Sequence, residues 1–397
     1  MKNIKKVIKY CLLTCLAVVV ALGGYATYLR LPNGTDIELT KPLALRLAEL
    51  ISIADKNQTA NLNLDAASTF QRSNPIFEAI IAIQQERWWE AQELLTPLAE
   101  QENAEALFWL GDITYRSSAF SGRKGAKLFE KSAKLGNPYA AIKLSPKYNS
   151  YECKMRMGSY CNEKWGELGL DILRKQADAG NVKAAYSYLF YTKFDDGSFD
   201  YFEKFLDVVE RGIEIKYYRP LRHLVDMYQT REHLNPYNRD IIPLTEEDRK
   251  ILAKLLMVAA ENNDIPSIKI LNNRYLDVIS SPRKFDEIVE RNLNALDSQH
   301  YFISYDFFLR KYKQSNERDF LIHGYAYAMM YDKSEGEGQS VYHRMFDSRL
   351  EESGISALTQ KEKNSAKAIF ETQVEKQKFS AYIDEVREAY ESPSGGY

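Results

Sequence analysis

Five histidines, His223, His233, His300, His323 and His343, are the side chains best suited to proton transfer or metal ligation near neutral pH. None stands three or four residues from another, the separation that would set two imidazoles on one face of a helix. His223, inside PLRHLVDMY, reads as an ordinary helix-face histidine. The carboxylate pairs Asp195-Asp196 and Glu246-Glu247 could do acid–base work, but neighbours in sequence read more simply as a turn and the first turn of a helix. Neither GxxxxGK[ST] nor GxSxG occurs, so no phosphate cradle or nucleophile elbow is legible. The sequence therefore nominates no catalytic residue, no cofactor and no metal site. The residual enzymatic reading is a hydrolase assembled in the C-terminal region around His323 and His343.

Cysteine chemistry is more informative. Cys11 and Cys15 fall inside an apolar run, leaving Cys153 and Cys161, eight residues apart, to bracket KMRMGSY. That spacing closes a short loop suited to a disulfide in an oxidising compartment, and two separate buried thiols are the alternative. A closed zinc site would need four ligands, and no His or second Cys pair lies nearby. Export agrees with the start of the chain. Lys2, Lys5, Lys6 and Lys9 precede an uncharged stretch over residues 10–29, about 30 Å long as a helix and so able to span a bilayer. The positive-inside rule keeps residues 1–9 cytoplasmic and sends the rest to the periplasm of a bacterial envelope. A cleaved signal peptide is the competing reading, because Cys11 to Leu22 has the length of a signal's apolar region and Gly24 and Ala26 are small.

The elements that must carry any site are helices, and they repeat. EAQELLTPLAEQENAEALFWLGDITY, from Glu90, has apolar residues at helical spacing, a polar break, and a second such stretch. GAKLFEKSAKLGNPYAAIKL, from Gly125, stops at Gly136-Asn137 and restarts through Ala140, Ala141 and Leu144; LDILRKQADAGNVKAAYSYLFY stops at Gly180-Asn181 and restarts through Ala184 and Ala185. Gly can take the left-handed conformation that ends a helix, Asn can cap the next, and alanines let paired helices approach. Weaker units begin at Phe202 and Leu252, placing Ala99, Ala133, Ala177, Val209 and Ala260 in register.

The pieces ALFWLGDITY, AKLFEKSAKLGNPYAA and LRKQADAGNVKAA resemble the Sel-one-like repeat, a relative of the tetratricopeptide repeat; Glu102 departs from it where the first unit should have Gly. The resemblance implies an all-α fold, a right-handed α-solenoid of antiparallel helix pairs. The array is expected over 65–282, with insertions at 145–164 and 229–248. It follows a linker at 30–64 holding a short helix from Pro42 to Asp55. A C-terminal cap and tail at 283–397 would include one or two polar helices from Gln360 to Tyr390.

One helix of each pair lines the groove of such an array, making Trp109, Asp112, Tyr115, Tyr186, Tyr188, Tyr191 and Tyr228 the candidate partner-binding residues. The same rings are equally the bulky residues that pack successive pairs together. Of Trp88-Trp89, one ring should face the core and the other stay partly exposed. The insertions supply a second candidate surface at Met155, Arg156, Tyr160, Tyr237 and Arg239.

Across 397 residues, 53 Lys plus Arg against 55 Asp plus Glu leave a formal charge of −2, which disfavours nucleic acid. With its basic start set aside, the chain is more acidic still, which favours a basic protein partner. The resemblance and the exported topology together imply a non-catalytic binding protein. Within that class the expectation is an immunity protein that occludes a periplasm-delivered toxin, such as a type VI secretion lipase effector. An envelope adaptor for secretion or polysaccharide machinery is the alternative.

Overall fold

The computed structural model describes residues 50–52, 56, 61–118, 120–192, 199–230, 244–334 and 341–386. The basic start, the apolar run at 10–29, most of the expected helix at 42–55, Tyr237, Arg239 and the C-terminal tail lie outside them. Among the described residues no helix is long and apolar enough to cross a membrane. Helices account for the regular structure. In chain order they are α1 (Phe77–Gln84), α2 (Trp88–Glu100), α3 (Ala104–Arg116), α4 (Gly122–Lys134), α5 (Pro138–Lys143), α6 (Glu163–Asp178), α7 (Val182–Thr192) and α8 (Phe199–Ile215). There follow α9 (Arg219–Thr230), α10 (Glu246–Glu261), α11 (Ile265–Ile270), α12 (Pro282–Asn292), α13 (Tyr301–Ser315), α14 (Asp319–Ser334), α15 (Tyr342–Glu352) and α16 (Gln360–Gln373).

From α1 to α11 each helix packs on its sequence neighbours, as an array of hairpins requires. One two-residue device makes six of the described turns, its second residue capping in four of them. A residue in left-handed conformation ends the first helix: Glu86, Glu102, Gly136, Gly180, Lys216 and Asn263, with φ between 60° and 95°. Gly136 N–H returns to Ala133 O at 3.0 Å and Asn137 N–H to Ser132 O at 3.1 Å, and the other five turns repeat both bonds. The following residue then caps the second helix. Asn103, Asn137, Asn181 and Asp264 accept from the N–H groups of Ala106, Ala140, Ala184 and Ser267 at 2.9 to 3.1 Å. Each such cap stabilises by about 1 kcal/mol.

This register places Glu102 and corrects the expected place of Val209. Glu102 adopts the left-handed turn in place of Gly, so the departure in the first unit does not interrupt the hairpin. In the fourth unit the residue three before the turn is Ile213, not Val209, because Lys216 is the left-handed position. Small residues set the spacing elsewhere. A Cβ on Gly125 would stand 2.9 Å from Gly111 O and 2.8 Å from Tyr115 Cβ, so α3 and α4 touch there through backbone.

The stretch 145–164, expected as an insertion, is folded: a helical turn at Ser150–Glu152, a π-turn at Cys153–Met157 and a 3-10 turn at Gly158–Tyr160. The C-terminal region departs from expectation. Helix α16 stops at Gln373, a 3-10 turn covers Val374–Lys376, and residues 377–386 run without helix or strand pairing, not as the continued helix expected to Tyr390. The sequence FSAYIDEV explains this, since its aromatic and β-branched residues favour extended backbone and its Ala381, Ile383 and Val386 are buried.

The ends of the array meet. Asn61 N–H donates to Glu261 O at 3.0 Å, Thr69 N–H to Ala381 O at 2.8 Å, and Gln299 Nε2 to Gln84 O at 3.2 Å. One continuous apolar core runs from Leu50 to Val386.

The corner before α16 gives a pH prediction. Thr359 and Glu362 form a capping box, and Arg318 grips Glu362 with two bonds of 2.5 and 3.0 Å while also donating to Ala357 O. That guanidinium, with the Thr359 bonds, outweighs partial burial and holds the Glu362 carboxyl at about 2, against an ordinary 4.5. A carboxyl lowered by folding contributes stability above its unfolded value, and the contribution is lost as pH falls through its folded one. Denaturation midpoints should therefore drop by the equivalent of about 1 to 2 kcal/mol between pH 4.5 and 2, after allowing for solvent screening. Glu362→Gln should flatten that segment of the profile; an unchanged slope in the variant would refute the assignment.

Candidate peptide groove and disulfide-braced loop

The inward-facing tyrosines do not stand open to solvent. Residues 377–386 lie against Tyr217, held by bonds to their backbone from several helices and turns. Lys378 N–H donates to Asn294 O at 3.0 Å, and Arg72 donates to Phe379 O at 2.9 Å. The buried amide of Gln84 donates to Ser380 O at 3.2 Å and accepts from Tyr382 N–H at 2.9 Å, reading the peptide as a neighbouring strand would. Thr69 Oγ1 bonds the carbonyls of Ala381 and Ile383 at 3.1 and 2.6 Å, and Ser68 Oγ accepts from Ala381 N–H. Tyr382 OH donates to Asp297 Oδ2 at 3.1 Å.

Two carboxylates end this run. Asp384 is fully buried, accepting from Tyr217 OH at 2.8 Å and facing Arg219 Nη1 at 3.2 Å. Glu385 meets Lys183 Nζ at 2.5 Å, and that ammonium also lies 4.8 Å from the centre of the Phe70 ring. Burial would depress Lys183, yet the Glu385 and Asp384 charges outweigh it and raise the ammonium above its ordinary value. For Glu385 burial dominates, and with repulsion from Asp384 it lifts the carboxyl despite Lys183. Burial, then the Asp384 charge, also pushes the Tyr217 hydroxyl well up. Two cations thus face the Asp384–Glu385 end of the segment, while the Asp297 carboxylate lines the groove beside Tyr382.

The candidate residues divide. Trp109 is only 1% exposed, edge-on to Phe70 and Phe108, and Tyr186 and Tyr228 are buried too. Tyr186 OH lies 3.2 Å from His223 Nδ1, which sits among Tyr186, Phe190 and Phe205. Buried Asp112 pairs with Arg116 and, at 3.7 Å, Lys143. Tyr115 lies beneath the Arg156 guanidinium, 4.1 Å away. These rings face neighbouring helices, because each hairpin must bury its wide face on the next. Tyr188 and Tyr191 are half-buried, and Tyr191 feels the Asp384 charge within the groove. Sequence reasoning missed Gln84, Lys183, Tyr217 and Arg219. Nothing in their spacing singles them out, because they converge only when distant hairpins curve together.

His300, His323 and His343 are engaged structurally, and His233 lies outside the described residues. His300 Nδ1 meets Asp297 Oδ1 at 2.6 Å inside the core, His323 Nδ1 donates to Asp319 O at 3.0 Å, and His343 Nδ1 meets Asp332 Oδ2 at 2.5 Å. Among the described residues no group of three or more His, Cys, Asp or Glu is arranged to hold a metal ion.

The other candidate surface is solvent-facing. Cys153 and Cys161 are bonded, with Cα atoms 5.2 Å apart, and fix the loop between them. Arg156 ties that loop to the α3–α4 turn by donating to Tyr115 O and Ser118 O, each at 2.7 Å. Beside this clamp three large apolar side chains stand out: Phe120 at 96% exposure, Tyr151 at 71% and Met155 at 69%. Tyr160 is half-buried against the core. Trp88 packs on the core, and Trp89 points outward with Nε1 on Glu93, the division expected of adjacent helical rings. Replacing Cys153 and Cys161 with Ser should cost about 2 to 3 kcal/mol, the loop-closure entropy of so short a ring. Urea midpoints of the oxidised and double-serine chains measure it, and equal midpoints would show that the bond braces nothing.

No protein-family model and no curated protein matches the chain. Among solved structures it is similar to a protective antigen present in uropathogenic Escherichia coli strains, described as displaying an SLR fold, at 15% identity and a TM-score of 0.38. The match covers 72% of this chain and 56% of that one, so the chain spans little more than half that structure's length.

Proposed function

We propose that this is a non-catalytic helical-repeat protein that binds another protein. The observation that carries the reading is the patch of Phe120, Tyr151 and Met155. Isolated exposed apolar residues are ordinary, but these three stand on two loops that Arg156 and a disulfide tie together. Rigidity matters because a pre-ordered aromatic anchor loses little entropy on binding.

Within that class we read the chain as an immunity protein, tethered to the inner membrane or released into the periplasm, that occludes a toxin delivered there. Support comes from the Sel-one-like stretches between Ala106 and Ala185, the basic-then-apolar start and the oxidised cysteine pair. The test is co-purification of residues 30–397 with secreted toxins encoded beside its gene, together with survival of cells challenged by that toxin. A toxin that co-purifies, and whose capture falls at least tenfold in a Phe120→Ser, Met155→Ser variant, supports the reading. Normal survival of a deletion strain under challenge would sink the immunity role, and undiminished capture by the variant would sink the patch.

A further inference from the structure

We infer that the groove now filled by residues 377–386 is a binding site for an extended protein segment bearing two adjacent carboxylates, and that the chain's own segment occupies it as an internal ligand. The site does not depend on the Phe120 patch, since it is built from other residues.

The contacts are those of a bound peptide more than of a packed loop. An irregular segment inside a fold usually buries apolar side chains and turns its backbone to water or to itself. Here successive backbone groups from Lys378 to Ile383 are read from outside, by Thr69, Arg72, Gln84 and Asn294. Bonds within the segment are confined to its acidic end, where Val386 N–H donates to Asp384 Oδ1 at 3.0 Å and the Glu385 carboxylate accepts from its own backbone. Backbone reading of this kind accepts many sequences, so specificity has to come from side-chain sites. The sites are Arg219 with Tyr217 for the first carboxylate and Lys183 for the second.

Those cations set what an occupant must carry. Arg219 is almost fully buried and Lys183 three-quarters buried with the segment in place. The carboxylates Asp384 and Glu385 reach them from 165 and 202 residues further along the chain. A fold that needed only packing here would be served equally by apolar side chains, because a buried ion pair seldom gains over a well-packed hydrophobic replacement. What charges in such a place confer is selectivity for a segment with negative charge at two successive positions. A single 3-10 turn joins the occupant to α16, so release requires no helix to unfold. The partner is therefore a protein presenting an extended acidic run, which competes with residues 377–386.

The test uses the whole chain carrying Asp384→Asn and Glu385→Gln, which weakens the internal occupant and leaves Lys183 and Arg219 intact. A fluorescent peptide with the sequence of residues 377–386, QKFSAYIDEV, is titrated and its anisotropy followed. The variant should bind it at least tenfold more tightly than the wild-type chain. A peptide with Asn and Gln at the two acidic positions should bind at least tenfold more weakly, and adding Lys183→Met and Arg219→Met to the variant should abolish binding. A variant that keeps its wild-type circular dichroism yet binds no peptide overturns the inference. So does a variant that pairs into dimers by exchanging the segment, since a second copy is then the occupant.

Should that variant not fold, a protease site placed in the turn at 374–376 of the otherwise wild-type chain allows the segment to be cut while docked. Mass spectrometry then asks whether excess labelled peptide replaces it within the folded chain. Replacement supports the inference. Retention, or loss of fold on cutting, shows a fixed structural strand and refutes it.

Discussion

Replacing Arg222 with Met should destabilise the protein by about 3 to 5 kcal/mol, the cost of leaving a buried carboxylate without its cation. Arg222, on α9, donates from Nη1 to both oxygens of Asp264 at 2.6 and 2.8 Å, and both side chains are buried. Asp264 simultaneously caps α11, accepting from Ser267 N–H at 3.1 Å and Ser267 Oγ at 2.5 Å. One carboxylate thus joins the fourth hairpin to the fifth and starts a helix. Arg222→Met removes the first function while leaving the charge, whereas Asp264→Asn removes the charge while keeping a side chain able to cap. The double variant should recover at least 1.5 kcal/mol of the loss seen in Arg222→Met alone, because the buried charge is gone. Urea midpoints of the four chains measure the coupling. An Arg222→Met chain within 1 kcal/mol of wild type would show that water reaches Asp264 and that the pair is peripheral.

The same junction shows what the residues could and could not reveal in order. Gly136-Asn137 and Gly180-Asn181 announce their turns because each residue has one obvious use, the first for left-handed backbone and the second for capping. Glu102-Asn103, Lys216-Tyr217 and Asn263-Asp264 make the same turn with a less permissive first residue, so only the hydrogen-bond pattern exposes the repeat through the fifth hairpin. The cysteine bridge was legible for a similar reason, being a short-range matter of spacing and compartment. The groove was not. Thr69, Gln84, Lys183 and Arg219 are unremarkable where they stand, and their convergence depends on the accumulated curvature of many hairpins. The occupant misled as well. Polar residues after Gln360 suit a helix, and only the FSAYIDEV composition hinted at extended backbone beyond Lys376. Tyrosine abundance pointed to a lined groove, yet Tyr186 and Tyr228 serve mainly to fill the seams between hairpins.

Asn263→Gly isolates the contact that closes the array. Asn263 holds φ at 67°, and Gly136 and Gly180 occupy the equivalent turns, so glycine can adopt the backbone without strain. What disappears is the side-chain amide. Its Nδ2 donates to Asn61 O at 2.8 Å and Asn63 O at 2.9 Å, while its Oδ1 accepts from Arg291 Nε at 3.0 Å and buried Asn292 Nδ2 at 2.9 Å. At about 1 kcal/mol net for each of the four bonds, less a few tenths regained by relieving the left-handed conformation, the loss should be about 3.5 kcal/mol. Its location is the sharper prediction. Asn61 and Asn63 lead directly into Thr69, which holds the carbonyls of Ala381 and Ile383, so amide exchange should quicken over residues 61–72 and over 377–386 together. The turns at Gly136 and Gly180 should keep their protection, since nothing routes through Asn263 to reach them. Gly136→Asn supplies the control: open space surrounds that position but its φ of 95° strains any side chain, so the reverse substitution should cost about 1 kcal/mol without loosening 61–72 or 377–386. Faster exchange at 61–72 with unchanged protection at 377–386 would mean that the groove's occupant is held by the cationic sites alone, and unchanged protection at both would remove Asn263 from the closure.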